Sequence, residues 1–171
     1  MLKTIKTMHN KPSQQQGVAA VEFAIIAMLL FTILFGIFEF GRLFYVYNSV
    51  QEVTRRAARE AVVRWADTAS QDAARSLALF GGASLPAGAE ITAANINIDY
   101  LTASGGDPTP FPASPADNIA ACLSGPDGCI AFVQVSIVGA NYIPMSGLFP
   151  FLSVPIPAST VTMPAESMGY A

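Results

Sequence analysis

Two residues near the start of the chain have types and spacing that could support chemistry: Gly17 and Glu22. They stand at the entrance to a long uncharged segment that runs from Phe23 to Phe38. Glycine has no side chain, so the backbone around it is accessible and conformationally free. An ionised carboxylate near a membrane core costs about 2.5–3.5 kcal/mol on insertion scales, so a glutamate there indicates a function. The pair therefore predicts a functional carboxylate beside an open stretch of backbone.

The surroundings of this pair form a more specific pattern. Residues 1–17 contain three lysines and no acid, Phe23 follows Glu22 directly, and residues 39–42 read Glu-Phe-Gly-Arg. A basic leader, a glycine and a glutamate at the fifth position after it resemble a type IV prepilin processing site. The Glu22-Phe23 pair and the Glu-Phe-Gly-Arg exit sequence resemble the TadE-like pseudopilins of the tight-adherence pilus.

This resemblance implies a role for each matching residue. A prepilin peptidase would cut the Gly17–Val18 bond and release the leader, residues 1–17. Glu22, with Phe23 beside it, would then set the register between subunits, because its carboxylate would pair with the new α-amino group at Val18. Such a pair is far stronger in low dielectric than in water, although desolvation offsets part of the gain.

The resemblance also implies a function and partners. It describes a minor pseudopilin needed for initiation or assembly of the pilus, with roles in cell adhesion and secretion. The partners would be the prepilin peptidase, other pilin and pseudopilin subunits, and the inner-membrane assembly platform. The precursor would cross the bacterial inner membrane once, with its C-terminal domain in the periplasm, and could enter the pilus. A subunit of the filament body is a second possibility, but the major pilins of this pilus type are much shorter.

The uncharged segment has the length of a membrane span. Residues 18–41 would form a helix of about 36 Å, enough to cross a hydrocarbon core of about 30 Å. The lysines before it place the N-terminus in the cytoplasm by the positive-inside rule. No Ala-x-Ala-like site and no cysteine follows Phe38 directly, which argues against a secretory or lipoprotein signal. An uncleaved signal anchor, holding a cell-envelope binding protein that keeps its leader, remains the main alternative.

Glu39 is expected to be an ordinary residue at the outer membrane interface, paired at most with Arg42 at i+3. Water would already screen its charge there, so neutralising it should have a small effect.

The helical pattern continues beyond the predicted span. Apolar residues recur at spacings of three and four from Leu43 to Trp65, as one face of a helix requires. Two acids and two arginines alternate at i,i+4 on another face, which predicts a solvated, ion-paired surface. We therefore predict a periplasmic amphipathic helix over residues 42–80, ended by Gly81-Gly82. The ion-paired residues are Glu52, Arg56, Glu60 and Arg64.

Residues 81–171 have a strand-rich composition with proline-rich loops. Alternating or apolar runs predict strands at Ile96–Tyr100, Ile130–Val138 and Ala158–Met163. The second has apolar residues on both faces, which fits a central strand packed on a helix on one side. The prolines at 105–118 and 144–157 predict irregular loops, and the second loop has apolar residues for contact with the helix or another subunit. The resulting class is α+β and pilin-like: a long N-terminal helix packed on a small, mostly antiparallel sheet.

Cys122 and Cys129 flank a Gly-Pro-Asp-Gly turn. In an extracytoplasmic domain this arrangement predicts a disulfide, and free thiols are the alternative. Closing so small a loop contributes about 2–3 kcal/mol in the chain-entropy model.

The sequence offers no common catalytic constellation. The only histidine, His9, is in the predicted leader, which excludes histidine-based triads and histidine-containing metal sites from the mature domain. We expect no enzyme activity, no cofactor and no metal. The mature domain is acidic, because six acids and no Lys or Arg follow Arg75, so nucleic acid is not an expected partner.

Overall fold

The computed structural model describes residues 15–166, 168 and 169. The chain divides into two compact units, residues 1–38 and 39–171. The predicted leader, with its lysines and His9, lies outside the described residues except for its last three positions.

The helix α1 extends over Gln15–Val62. In the first unit its apolar side chains are exposed rather than packed in a protein core, and this part of the helix is apolar enough to cross a membrane. Thr32 donates its hydroxyl hydrogen bond to the carbonyl oxygen of Met28 at 2.7 Å, so even the polar side chain in this stretch is satisfied within the helix. The predicted transmembrane helix is therefore present as a helix of suitable length and composition.

In the second unit, the α1 residues from Glu39 onward supply one wall of the hydrophobic core. Val46, Val50, Val53 and Ala57 are fully buried, which confirms the predicted helical face. The opposite face carries the predicted ion pairs: Arg56 Nε lies 3.4 Å from Glu52, and Arg64 Nη2 lies 3.1 Å from Glu60.

The prediction of one helix over residues 42–80 is wrong. Helix α1 ends at Val62, and a separate helix α2 covers Thr68–Ala78. The cause is Asp67, whose carboxylate accepts a hydrogen bond from the backbone N–H of Ser70 at 2.8 Å and caps the new helix. This bond also lowers the pKa of Asp67. The apolar spacing of a helix continues across the break and does not mark it. The capping residue Asp67 does mark the start of the second helix.

The main sheet has three antiparallel strands in the order β3-β4-β7. These strands are β3 Ile96–Leu101, β4 Phe132–Ile137 and β7 Ser159–Pro164, so all three predicted strands and the central place of the second are confirmed. Two small two-stranded antiparallel sheets accompany them, β1 Ser84–Leu85 with β2 Gly88–Thr92, and β5 Asn141–Tyr142 with β6 Val154–Pro155. The α+β class, with a long apolar helix and a small antiparallel sheet, is confirmed.

Burial alternates along the central strand. Val133, Val135 and Ile137 are buried in the same core as α1, but Gln134 and Ser136 between them are only half-buried. Strand β4 therefore has one fully buried face, which agrees with the predicted packing on a helix on one side.

The predicted irregular loop at 105–118 is shorter than expected. Helix α3 begins within it and covers Pro115–Ser124. Ser114 caps this helix by accepting the Asp117 N–H. Proline is tolerated at the first helical position because the N–H that it lacks would have no intrahelical partner there.

The predicted disulfide joins Cys122 in α3 to Cys129 beyond it, with 4.8 Å between the two Cα atoms. It closes the turn that leads from α3 back to β4. Asn118 fixes the same turn, because its side-chain oxygen accepts the Ile130 N–H at 2.7 Å.

Protein extracted without reductant should show no free thiol, because both sulfurs are in the bond. Replacing both cysteines with serine should lower the free energy of unfolding by about 2–3 kcal/mol, since a small constrained loop is released in the unfolded state. Thiol labelling with mass spectrometry checks the first expectation and urea unfolding checks the second. Full labelling of both cysteines in native, unreduced protein would contradict the bond.

Candidate functional site

The residues of the predicted processing site lie in the first described turns of α1. Val18 and Glu22 are four residues apart and share one face of the helix, and side chains of a helix lean toward its N-terminus. Glu22 and Phe23 are exposed. A Cβ added at Gly17 would meet no atom of the described residues within 4 Å, so packing among those residues does not require glycine there.

A second cluster is centred on Glu39, and it overturns the expectation of a screened interface residue. Glu39 is only 5% exposed. Its carboxylate accepts hydrogen bonds from the Tyr142 hydroxyl at 2.6 Å, the Met145 N–H at 3.0 Å and the Ser146 N–H at 3.3 Å. The Ser146 hydroxyl donates a further bond at 3.3 Å. Glu39 is thus a buried, fully hydrogen-bonded acceptor within the folded domain.

Arg42 lies one turn further along α1 and binds the same region. Its guanidinium donates to the carbonyl oxygens of Ala87 at 3.0 Å and Ile143 at 2.9 Å, and it is ion-paired with Glu90. Its Nη1 also lies 3.7 Å from Glu39, so the predicted i,i+3 pair is present as one contact among several. Burial lowers the pKa of Arg42, but the hydrogen bond and charge of Glu90 raise it above its usual value.

Tyr142 and Glu90 complete the group. The Arg42 guanidinium carbon lies 4.8 Å from the centre of the Tyr142 ring, a cation–π distance. Burial, followed by the hydrogen bond to Glu39, raises the pKa of Tyr142 to about 12. Glu90 accepts from Arg42 and from the Ile143 N–H at 3.2 Å, while its Oε2 is buried without a hydrogen-bond partner. We call Glu39, Arg42, Glu90 and Tyr142 the Glu39 cluster.

The Glu39 cluster joins three parts of the domain that are far apart in sequence. It ties α1 to strand β2 through Glu90 and to the end of strand β5 through Tyr142. It also holds the backbone that follows β5, because Met145 and Ser146 donate to Glu39. The role of the cluster is therefore structural. Its three charged side chains, Glu39, Arg42 and Glu90, hold uncharged segments of the domain in place.

Residues 17–59 match the family model described as TadE-like protein. Over these residues the chain is similar to the TadE-like family. The resemblance found in the sequence is confirmed there, and it indicates a protein associated with the tight-adherence pilus. No curated protein and no solved structure matches the chain.

The TadE-like segment contains the residues of the predicted processing site and two of the four members of the Glu39 cluster. It begins at Gly17, includes Val18, Glu22 and Phe23, and extends through Glu39 and Arg42 into the buried face of α1. The partners of Glu39 and Arg42 lie outside it, at residues 87–90 and 142–146. Sequence reasoning named Glu39 and Arg42 but missed these partners. One sequence feature pointed to burial of Glu39 and Arg42: two opposite charges at i,i+3 among apolar residues. The same feature also fits an exposed ion pair, so it does not decide between the two.

Proposed function

We propose that this chain is a minor pseudopilin of a tight-adherence pilus, made as a precursor and processed by a prepilin peptidase between Gly17 and Val18. The observation that carries the proposal is the TadE-like match, which begins at Gly17 and includes Glu22. The position of Gly17 supports it further, because the glycine lies five residues before Glu22 at the start of the apolar segment.

The proposed location is the bacterial inner membrane, crossed once, with the N-terminus in the cytoplasm and the second unit in the periplasm. The exposed apolar side chains of residues 18–38 and the lysines of the leader support this topology. The Cys122–Cys129 disulfide is consistent with an oxidising compartment. Incorporation into the pilus itself follows from the same proposal.

The proposed activity is assembly rather than catalysis. Glu22 would attract the α-amino group that cleavage creates at Val18, on its own helix or on a neighbouring one. A carboxylate among lipids is costly and a paired one is much less so, so pairing favours one register between helices. The partners would be the peptidase, other pilin and pseudopilin subunits, and the assembly platform of the inner membrane.

In cells with the cognate peptidase, the mature protein should begin at Val18, and Gly17→Ala should stop or strongly slow cleavage. The physical reason is access: the added methyl group disturbs nothing in this chain but occupies space at the scissile bond. Mass spectrometry of the intact N-terminus measures the outcome.

Gly41→Ala is the matched control, because Gly41 lies in the same helix and a Cβ there also meets no atom within 4 Å. Cleavage should be normal in this variant. If the steady-state protein retains its leader, the pseudopilin proposal is wrong. The chain is then an envelope protein held by an uncleaved signal anchor.

A further inference from the structure

The segment that follows strand β5 exposes an unusual amount of apolar surface. Four large side chains, Ile143, Met145, Leu148 and Phe151, are 58–80% exposed within nine residues. No charged residue occurs anywhere between Asp127 and Glu166. We call residues 143–151 the apolar loop. Contiguous exposed apolar surface of this kind marks a contact with a membrane or a protein.

The Glu39 cluster fixes where the apolar loop lies. Glu39 accepts backbone hydrogen bonds from Met145 and Ser146, and Arg42 donates to the carbonyl oxygen of Ile143. The loop backbone is therefore held at the level of Glu39 and Arg42 on α1. In sequence, Glu39 directly follows Phe38, the last residue of the uncharged segment.

The level of Glu39 has a physical meaning on the proposed topology. The predicted span, residues 18–41, is about 36 Å long against a hydrocarbon core of about 30 Å, so its last turn, which contains Glu39, lies at the outer boundary of that core. Aromatic side chains concentrate at such boundaries. Phe40, Phe44 and Tyr45, the next aromatic residues of α1, are all exposed. The apolar loop and these aromatic residues therefore lie at one depth.

We propose that the apolar loop is a lipid-contacting surface that inserts its exposed side chains into the outer interface of the membrane spanned by residues 18–41. This inference rests on the membrane span in the proposed function. The loop adds a second point of contact, so the periplasmic domain is held against the bilayer by the helix and by the loop.

Lipid suits this surface better than a protein partner does. Protein interfaces surround their apolar centre with a polar rim that supplies hydrogen bonds and orientation. The apolar loop has no charged residue for such a rim, and a bilayer interface requires none. The charged residues that contact the loop, Glu39, Arg42 and Glu90, are mostly buried and make their hydrogen bonds within the domain.

The test uses the full chain in vesicles of phosphatidylcholine and phosphatidylglycerol, with a photoreactive diazirine amino acid placed at one leucine at a time. Leu148 reports the apolar loop, and Leu123 on α3, which is 85% exposed, is the control. Leu29, in the middle of the uncharged segment, reports the membrane span itself. Mass spectrometry after illumination identifies the adducts.

We expect phospholipid adducts at positions 148 and 29 and none at position 123. Adducts at 29 without adducts at 148 would overturn the lipid-contacting loop and leave the proposed span intact. Adducts from 148 to a second protein chain instead of lipid would overturn it equally and identify the loop as a subunit interface. Loss of lipid adducts at 29 would instead reject the membrane span, and the loop proposal with it.

Discussion

Replacing Glu39 with glutamine should lower the free energy of unfolding of the second unit by about 2–3 kcal/mol, since hydrogen bonds to a charged group contribute about 1.5–3 kcal/mol each. The Glu39 carboxylate accepts from four donors on three residues. Glutamine has only one acceptor oxygen. Its NH2 group, which is a donor, would take the place of the other oxygen and face a donor of the domain. The variant therefore both weakens the bonds and leaves a buried donor without an acceptor.

Urea unfolding of the full chain in detergent, followed by the fluorescence of Trp65, measures this loss. Glu52→Gln is the matched control, because Glu52 lies on the same helix but its side chain is 53% exposed and contacts only Arg56. An exposed i,i+4 pair contributes about 0.3–0.5 kcal/mol, so this variant should remain close to wild type. Equal stabilities for the two variants would mean that the Glu39 cluster does not hold the domain together.

The expected size of this effect reverses what the sequence alone suggested for Glu39. The run before it is apolar and Arg42 follows at i+3, so local patterns describe an interface residue with one partner. The remaining donors come from residues 142–146, about a hundred positions away, and no periodic pattern links them to Glu39. Long-range hydrogen bonds of this kind depend on the packing of the whole domain, which a single sequence does not encode in readable form.

Features set by local physics were predictable. The buried face of α1 follows from the 3.6-residue period, and the place of β4 at the centre of the sheet follows from its apolar composition. The disulfide follows from two cysteines around a turn in a predicted extracytoplasmic domain. The errors were also local, because Asp67 and Ser114 are short capping signals inside segments whose broader composition indicated helix or loop. Caps compete with longer patterns and change where an element begins.

Glu22→Gln should leave membrane insertion and processing intact and should sharply reduce pilus yield. If Glu22 pairs with the α-amino group at Val18, the neutral amide keeps the shape of the side chain but removes the charge attraction. It also lowers the cost of insertion, since the carboxylate costs about 2.5–3.5 kcal/mol near the membrane core. Pilus yield must be measured beside the membrane-fraction abundance and the mass of the mature protein.

Glu39→Gln provides the contrast that isolates the role of Glu22. The loss of the Glu39 cluster should reduce the abundance of folded protein, so pilus yield should fall in proportion to abundance. For Glu22→Gln, pilus yield should fall while abundance stays at the wild-type level, because Glu22 is exposed and lies outside the folded core. Wild-type pili in a Glu22→Gln strain would contradict the pairing role of Glu22. Its carboxylate would then only extend toward the membrane surface. The attraction between Glu22 and the new N-terminus would then have no part in setting the register of the subunits.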